Sequence, residues 1–135
     1  MVYSRRELSL LLPALMAGEN NVLPSKVYEF DQLPVKTNSK THSESRQVFH
    51  GKTHTGCPLD LHITTLPPGQ MPHPAHSHEH EEMMFIKQGT LQATINGHTY
   101  TAGSGSVIYV ASNEMHGLKN VGDVPAQYFV LAIQG

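Results

Sequence analysis

Short runs of alternating or apolar residues, separated by turn residues, follow one another from residue 59 to near the end of the chain. This pattern is typical of strands joined by hairpins, because alternate side chains of a strand lie on opposite faces of the sheet. Asn96-Gly97 is the strongest hairpin signal, since a type I′ turn needs a positive φ at both central residues. The pattern therefore predicts an all-β barrel. Its predicted strands span residues 59–66, 70–78, 82–87, 91–95, 98–101, 106–110, 116–120 and 127–133.

The first 56 residues lack this regular alternation. Ser4-Arg5-Arg6-Glu7, followed by several leucines, indicates a capping box that opens a short amphipathic helix, which Pro13 would weaken. The same residues are typical of a twin-arginine export signal, and both interpretations stand. The polar run 36–46 is predicted to be a linker or an edge loop. We therefore expect an extension over residues 1–56, with a helix or export signal plus edge strands, and a barrel over 57–135.

Composition narrows the functional classes. A chain of 135 residues suits one compact domain. The net charge of -2, with no basic cluster beyond Arg5-Arg6, argues against nucleic-acid binding. No apolar run approaches the roughly 20 residues of a membrane-spanning helix, so no membrane partner is expected. A small-molecule ligand remains, and the protein is expected in the cytoplasm, or in the periplasm if the export signal functions.

The histidine-rich segment 76–82 carries the candidate chemistry. His76 and His78 lie two residues apart, so a strand would project both imidazoles from one face. In a straight strand His80 would lie roughly 13 Å from His76, too far to share an ion. We therefore predict that the chain turns at His80, which would also bring Glu82 back toward the ion. A solvated histidine tract bracketed by prolines is the alternative interpretation of this segment alone.

Two glycine-flanked motifs contain these residues. In chain order their characteristic residues are His76, His78, Glu82, Gly89, Gly105, His116 and Asn120. The pair resembles the two sequence motifs of the cupin superfamily, and the resemblance covers residues from about 58 to 133. Ala111 and Asn113 stand where the second motif usually has proline and glycine, and the gap from Gly69 to the first histidine is one residue longer than usual. None of these departures falls on a ligand position.

The resemblance implies a double-stranded β-helix, or jelly-roll, barrel around one divalent transition metal ion. Its implied ligands are His76, His78, Glu82 and His116. Imidazole and carboxylate donors suit Fe, Mn, Zn, Ni or Cu, and they do not select one of these metals. Sheet edges in such an architecture are commonly buried by self-association, so a homodimer is expected.

The resemblance to small single-domain cupins implies a metal-dependent, dioxygenase-type enzyme that acts on a small oxygenated substrate. Glu82 would then be both a metal ligand and, by swinging away, a general base. A non-catalytic small-molecule or sugar-binding protein and an isomerase are the alternatives.

Strand phase adds candidate residues for a substrate pocket. Met84 and Ile86 share the face of Glu82 and are predicted to line the barrel interior. From neighbouring strands we expect further polar groups to face the same cavity, namely His62 with Asp60, and the hydroxyl groups of Tyr109 and Tyr128.

Overall fold

A computed structural model describes residues 21–134, and these residues form nine strands and one 3-10 turn at Phe30–Gln32. The strands are β1 (Val35–Thr37), β2 (Glu44–Lys52), β3 (Pro58–Leu66), β4 (Glu81–Gln88), β5 (Leu91–Ile95), β6 (His98–Ala102), β7 (Val107–Val110), β8 (His116–Asn120) and β9 (Ala126–Ile133). The predicted all-β class is confirmed. Within the described range no helix is long and apolar enough to cross a membrane. The predicted N-terminal helix or export signal, over residues 1–20, lies outside the described residues.

The strands of residues 21–134 form two antiparallel sheets that pack face to face. A six-stranded sheet has the order β1-β2-β3-β9-β4-β7, and a three-stranded sheet has the order β6-β5-β8. One apolar cluster joins the two sheets, and its members from both layers include Leu66, Met84, Leu91, Leu118 and Tyr128. Burial of each large apolar side chain stabilises the fold by about 1.5–3 kcal/mol relative to its exposed state.

Alternation decides which side chains reach this interior. In β9 every second residue is buried, beginning with Ala126 and including Tyr128 and Val130. In β4, Met84 and Ile86 are 2% and 3% exposed, which confirms the prediction that both face inward. The polar or half-exposed residues between them point to the outer surface, as expected for strands with a period of two.

Seven of the eight predicted strands are present, with ends that differ by no more than one residue. The predicted strand at 70–78 is wrong. Its ends do contact β8, because Gln70 accepts a hydrogen bond from the Asn120 backbone and His76 forms an isolated bridge with His116. Between these contacts the chain contains Pro72 and Pro74, which have no backbone N–H to donate to a sheet.

The polar run 36–46 is neither linker nor loop along its length. It contains part of the edge strand β1, a tight turn in which His42 has a φ of 57°, and the start of β2. β2 then pairs with β3 as far as Lys52, with a register shift between Gln47 and Phe49. The large sheet therefore continues across the expected boundary at residue 57.

Candidate metal centre

Four side chains from three segments meet at one end of the space between the sheets. His76 and His78 come from the segment before β4, Glu82 from the start of β4, and His116 from the start of β8. One potential ligand atom from each residue lies within 4.8 Å of the others. Among residues 21–134 this is the only group of its kind, and it contains the four residues that the sequence predicted as ligands.

The backbone around the histidines explains how they converge. His76 and His116 exchange two backbone hydrogen bonds of 2.9 Å and 2.8 Å, which fix the segment before β4 to the start of β8. The chain then bends at Glu79 and His80 before β4 begins, so the prediction that His80 is a bend residue is confirmed. The His80 ring stacks on the His78 ring at a centroid distance of 3.7 Å instead of joining the four-residue group.

Backbone carbonyl groups set the orientation of two imidazoles. His78 Nδ1 lies 2.8 Å from the His80 carbonyl oxygen, and His116 Nδ1 lies 2.9 Å from the Glu114 carbonyl oxygen. Since a carbonyl oxygen can only accept, each Nδ1 carries the proton and donates it. Each Nε2 then presents a lone pair, as metal-binding histidines with a partner on the other ring nitrogen commonly do.

Both Nε2 atoms lie 3.0 Å from the same oxygen, Oε1 of Glu82. Two lone pairs and a carboxylate oxygen that face one another repel unless a proton or a cation lies between them. The donor set therefore fits a divalent metal ion, and its combination of imidazole nitrogen and carboxylate oxygen is the one that Fe, Mn, Zn, Ni and Cu accept.

Electrostatics favour the neutral, metal-binding form of His76. Burial is the main cause that lowers its pKa from 6.5, although His76 is the most exposed of the four residues, and the neighbouring histidines His73, His116 and His78 lower the pKa further. Glu82 acts in the opposite direction. Because the pKa is lowered, a smaller fraction of His76 is protonated near neutral pH, and fewer protons must be released when a metal binds.

Asn120, the last residue of the second motif, has a structural role. Its side chain is fully buried, donates hydrogen bonds to the carbonyl oxygens of Leu66 and Val124, and accepts one from the Gly122 N–H. It therefore ties the end of β8 to β3 and to the loop that leads into β9. This network holds the strand on which His116 lies.

The departures from the family motif have local explanations. Asn113 has a φ of 64°, a left-handed conformation in which asparagine is the commonest substitute for glycine. At Ala111 the backbone N–H donates to Glu114 Oε1 at 3.3 Å, a contact that proline could not make. Glu114 in turn supplies the carbonyl group that orients His116.

The predicted pocket residues are divided by the structure. Met84 and Tyr128 lie on the inner face but are buried in the apolar core, and burial raises the pKa of the Tyr128 hydroxyl. Tyr109 does not face the barrel interior. It lies on the outer face of β7, 49% exposed, and donates a hydrogen bond to Glu81 at 2.6 Å, because the inward positions of this strand belong to Ile108 and Val110.

His62 and Asp60 lie on the inner face of β3, in phase with the buried Thr64 and Leu66. Two neighbours of the site were not predicted to take part. His50 of β2 contacts Asp60, and His73 stacks on His76 at a centroid distance of 4.1 Å. The sequence does not predict the contact between His50 and Asp60, because this contact depends on the pairing of β2 with β3. The sequence pattern does not reveal β2.

Comparison with known proteins follows from this geometry. The family model described as "Cupin domain" matches residues 62–132, slightly more than half of the chain, and the protein therefore belongs to the cupin family. No curated protein matches the chain.

Solved structures with a similar fold include three from bacteria. KdgF from Halomonas sp. aligns with a TM-score of 0.68 at 13% identity, over 83% of this chain and 96% of that protein. A "predicted oxalate decarboxylase" from Thermotoga maritima has a TM-score of 0.67 at 20% identity, over 82% and 100%. A "sugar phosphate isomerase" from Silicibacter pomeroyi has a TM-score of 0.66 at 14% identity, over 82% and 76%. These similarities establish the double-stranded β-helix fold.

Proposed function

We propose that the protein is a metal-dependent cupin enzyme that acts on a small oxygenated organic substrate, with dioxygenase-type oxidation as its reaction. The observation that carries this proposal is the convergence of three imidazoles and one carboxylate at an accessible end of the barrel. Four protein ligands would close a tetrahedral structural site, whereas a metal with six coordination positions would keep two of them open for water or substrate.

Accessibility differs among the four residues in a way that suits catalysis. His116 is buried at the back of the site, His78 and Glu82 are half-buried, and His76 is exposed. Next to them a cleft of about 520 Å³ is lined by Glu79, His80, Ser112, Asn113 and Gln134. The four residues do not line this cleft themselves; His80, which stacks on His78, connects the cleft to the group.

When bound, a redox-active divalent metal would supply coordination positions for the substrate oxygen and for O₂. The chain's own residues would do the rest. His78 and His116, each oriented by a carbonyl group, would hold their Nε2 atoms in place. Glu82 Oε2 lies outside the short contacts made by Oε1 and has only a 3.9 Å contact with His80 Nε2, so it would accept a proton from a substrate hydroxyl. Both atoms of O₂ would enter the organic product, so no external reductant is needed.

The test is to load metal-free protein separately with Fe(II), Mn(II), Ni(II), Cu(II) and Zn(II) and to follow oxygen uptake with phenolic and diketone substrates. We expect uptake with at least one redox-active metal and none with zinc. The matched variant His98→Ala, which removes an exposed histidine of β6 outside the four-residue group, should retain the uptake. Absence of uptake with every metal would refute the dioxygenase assignment.

A further inference from the structure

A second polar cluster lies on the inner face of the large sheet. Asp60 stands between two histidines, with His50 Nδ1 2.9 Å from Oδ2 and His62 Nδ1 3.7 Å from Oδ1. Gln47 Nε2 also lies 3.3 Å from Oδ1. The His50 side chain is 69% exposed, whereas those of His62 and Asp60 are 32% and 31% exposed. The pair His62–Asp60 is therefore partly shielded from solvent inside the barrel.

Strand register places this cluster in the same row as Glu82 of the metal centre, two strands away in the same sheet. Ala132 of β9 pairs with Glu82 on one side and with Asp60 on the other, so the three residues form one row on the inner face. Two strand spacings separate the carboxylate-bearing residues, about 10 Å between backbones. The residue between them is Ala132, which is 9% exposed.

A cavity of about 350 Å³ adjoins His62. Its lining includes hydroxyl groups from β3 and from the β1–β2 turn region, the imidazole of His73, and one lysine at the outer end; these residues are Thr64, Ser43, Ser45, His73 and Lys36. Glu44 is the one acidic residue in this lining. His73, which lines this cavity, stacks on His76 and so lies between the cavity and the metal centre. Its groups are mostly hydrogen-bond donors and suit an oxygen-rich, anionic ligand.

We propose that His62, which lies beside Asp60, binds the second oxygen-bearing group of a substrate whose first group lies at the metal centre. The substrate is accordingly a small molecule with two separated oxygen functions, of the dicarboxylate or hydroxycarboxylate class. This inference rests on the proposed function in taking His76, His78, Glu82 and His116 as the metal centre. Asp60 lies next to His62, with 3.7 Å between Oδ1 and Nδ1, and is itself hydrogen-bonded to His50.

The experiment compares two acids that differ in the second group. Zn(II)-loaded protein, which cannot turn over by redox chemistry, is titrated calorimetrically with succinate and with butyrate, which has the same chain length but one carboxylate. We expect succinate to bind at least about tenfold more tightly, as a hydrogen bond to a charged group would provide. His62→Ala should remove this preference and leave butyrate binding unchanged, while His62→Gln, which keeps a donor, should restore part of it.

His98→Ala is the matched control, because it removes an exposed histidine of β6 that lies outside both the four-residue group and the Asp60 cluster. It should change the succinate preference by less than about twofold. If His62→Ala retains the full preference, or if wild-type protein binds the two acids equally, the inference is overturned. If wild-type protein does not bind zinc in a separate metal titration, the proposed function fails and the inference fails with it. Normal zinc binding without an effect of His62 overturns the inference alone.

Discussion

The two ends of the barrel interior have opposite chemistry, although the same strands build both. At one end β4 contributes Glu82 to a group of histidines open to solvent, and two and four residues later it contributes Met84 and Ile86 to a dry apolar core. β3 changes in the same way, from Asp60 and His62 to Leu66. The residues that stabilise the fold and the residues that carry the chemistry are therefore separated along the strand direction. Stability and metal binding should accordingly respond to different substitutions.

The largest effect is expected at the polar end, in metal binding. His116→Ala and His78→Ala each remove one of four donors, and we expect metal affinity to fall more than 100-fold, beyond the 10- to 100-fold typical of residues that only support a ligand. Competition with a chromophoric chelator measures this affinity. His54→Ala, at an exposed histidine outside the four-residue group, is the control and should bind metal normally. Retention of affinity in His116→Ala would show that the ion binds elsewhere.

The apolar end should show the reverse pattern. Met84→Ala removes a side chain that is 2% exposed within the core cluster, and we expect the free energy of unfolding to fall by about 2–5 kcal/mol. Urea denaturation of metal-free protein gives this value. Met115→Ala, at a methionine that is 50% exposed, should cost less than about 0.5 kcal/mol. Equal costs in the two variants would contradict the assignment of the core to this end.

Asn120, at the end of β8 away from His116, should have an intermediate effect. Asn120→Ala leaves the carbonyl oxygens of Leu66 and Val124 without their donor, and we expect a loss of about 1–3 kcal/mol in the free energy of unfolding. Because the network holds the strand of His116, metal affinity should fall by a smaller factor than in His116→Ala. A stability loss below about 0.5 kcal/mol would show that water replaces the amide fully.

The smallest expected effect is a dependence of stability on pH, which arises from histidines at the polar end. Burial, followed by neighbouring histidines, lowers the pKa of His76 from 6.5, and burial likewise lowers the pKa of His80. The unfolded chain therefore takes up protons before the folded protein does, and stability of the metal-free protein should decline as pH falls below about 6.5. Urea midpoints between pH 8 and pH 5.5 measure the decline, and His76→Asn should reduce its slope. An unchanged slope would exclude His76 as a cause.

Much of this arrangement was predictable because its signals are local. The ligands at 76, 78 and 82 follow from short spacings and the bend at His80, and the strand ends follow from alternation and from turns such as Asn96-Gly97. β2 gave no such signal, because its inner residues face a polar cavity and include Ser45 and Gln47 rather than apolar side chains.

The errors have physical causes of the same kind. The sequence pattern predicts a strand at residues 70–78, but two prolines prevent continuous pairing there. Strand phase predicts that Tyr109 faces the cavity, but the inward positions of β7 belong to Ile108 and Val110, so Tyr109 lies outside. The contact between His50 and Asp60 depends on a long-range register that no local pattern contains.

Elemental analysis tests most directly whether His76, His78, Glu82 and His116 form a single metal site. Protein purified without a metal-affinity tag should contain about one equivalent of a divalent transition metal, and His116→Ala prepared in the same way should contain almost none. Wild-type protein that carries no transition metal and binds none when it is offered would contradict the account.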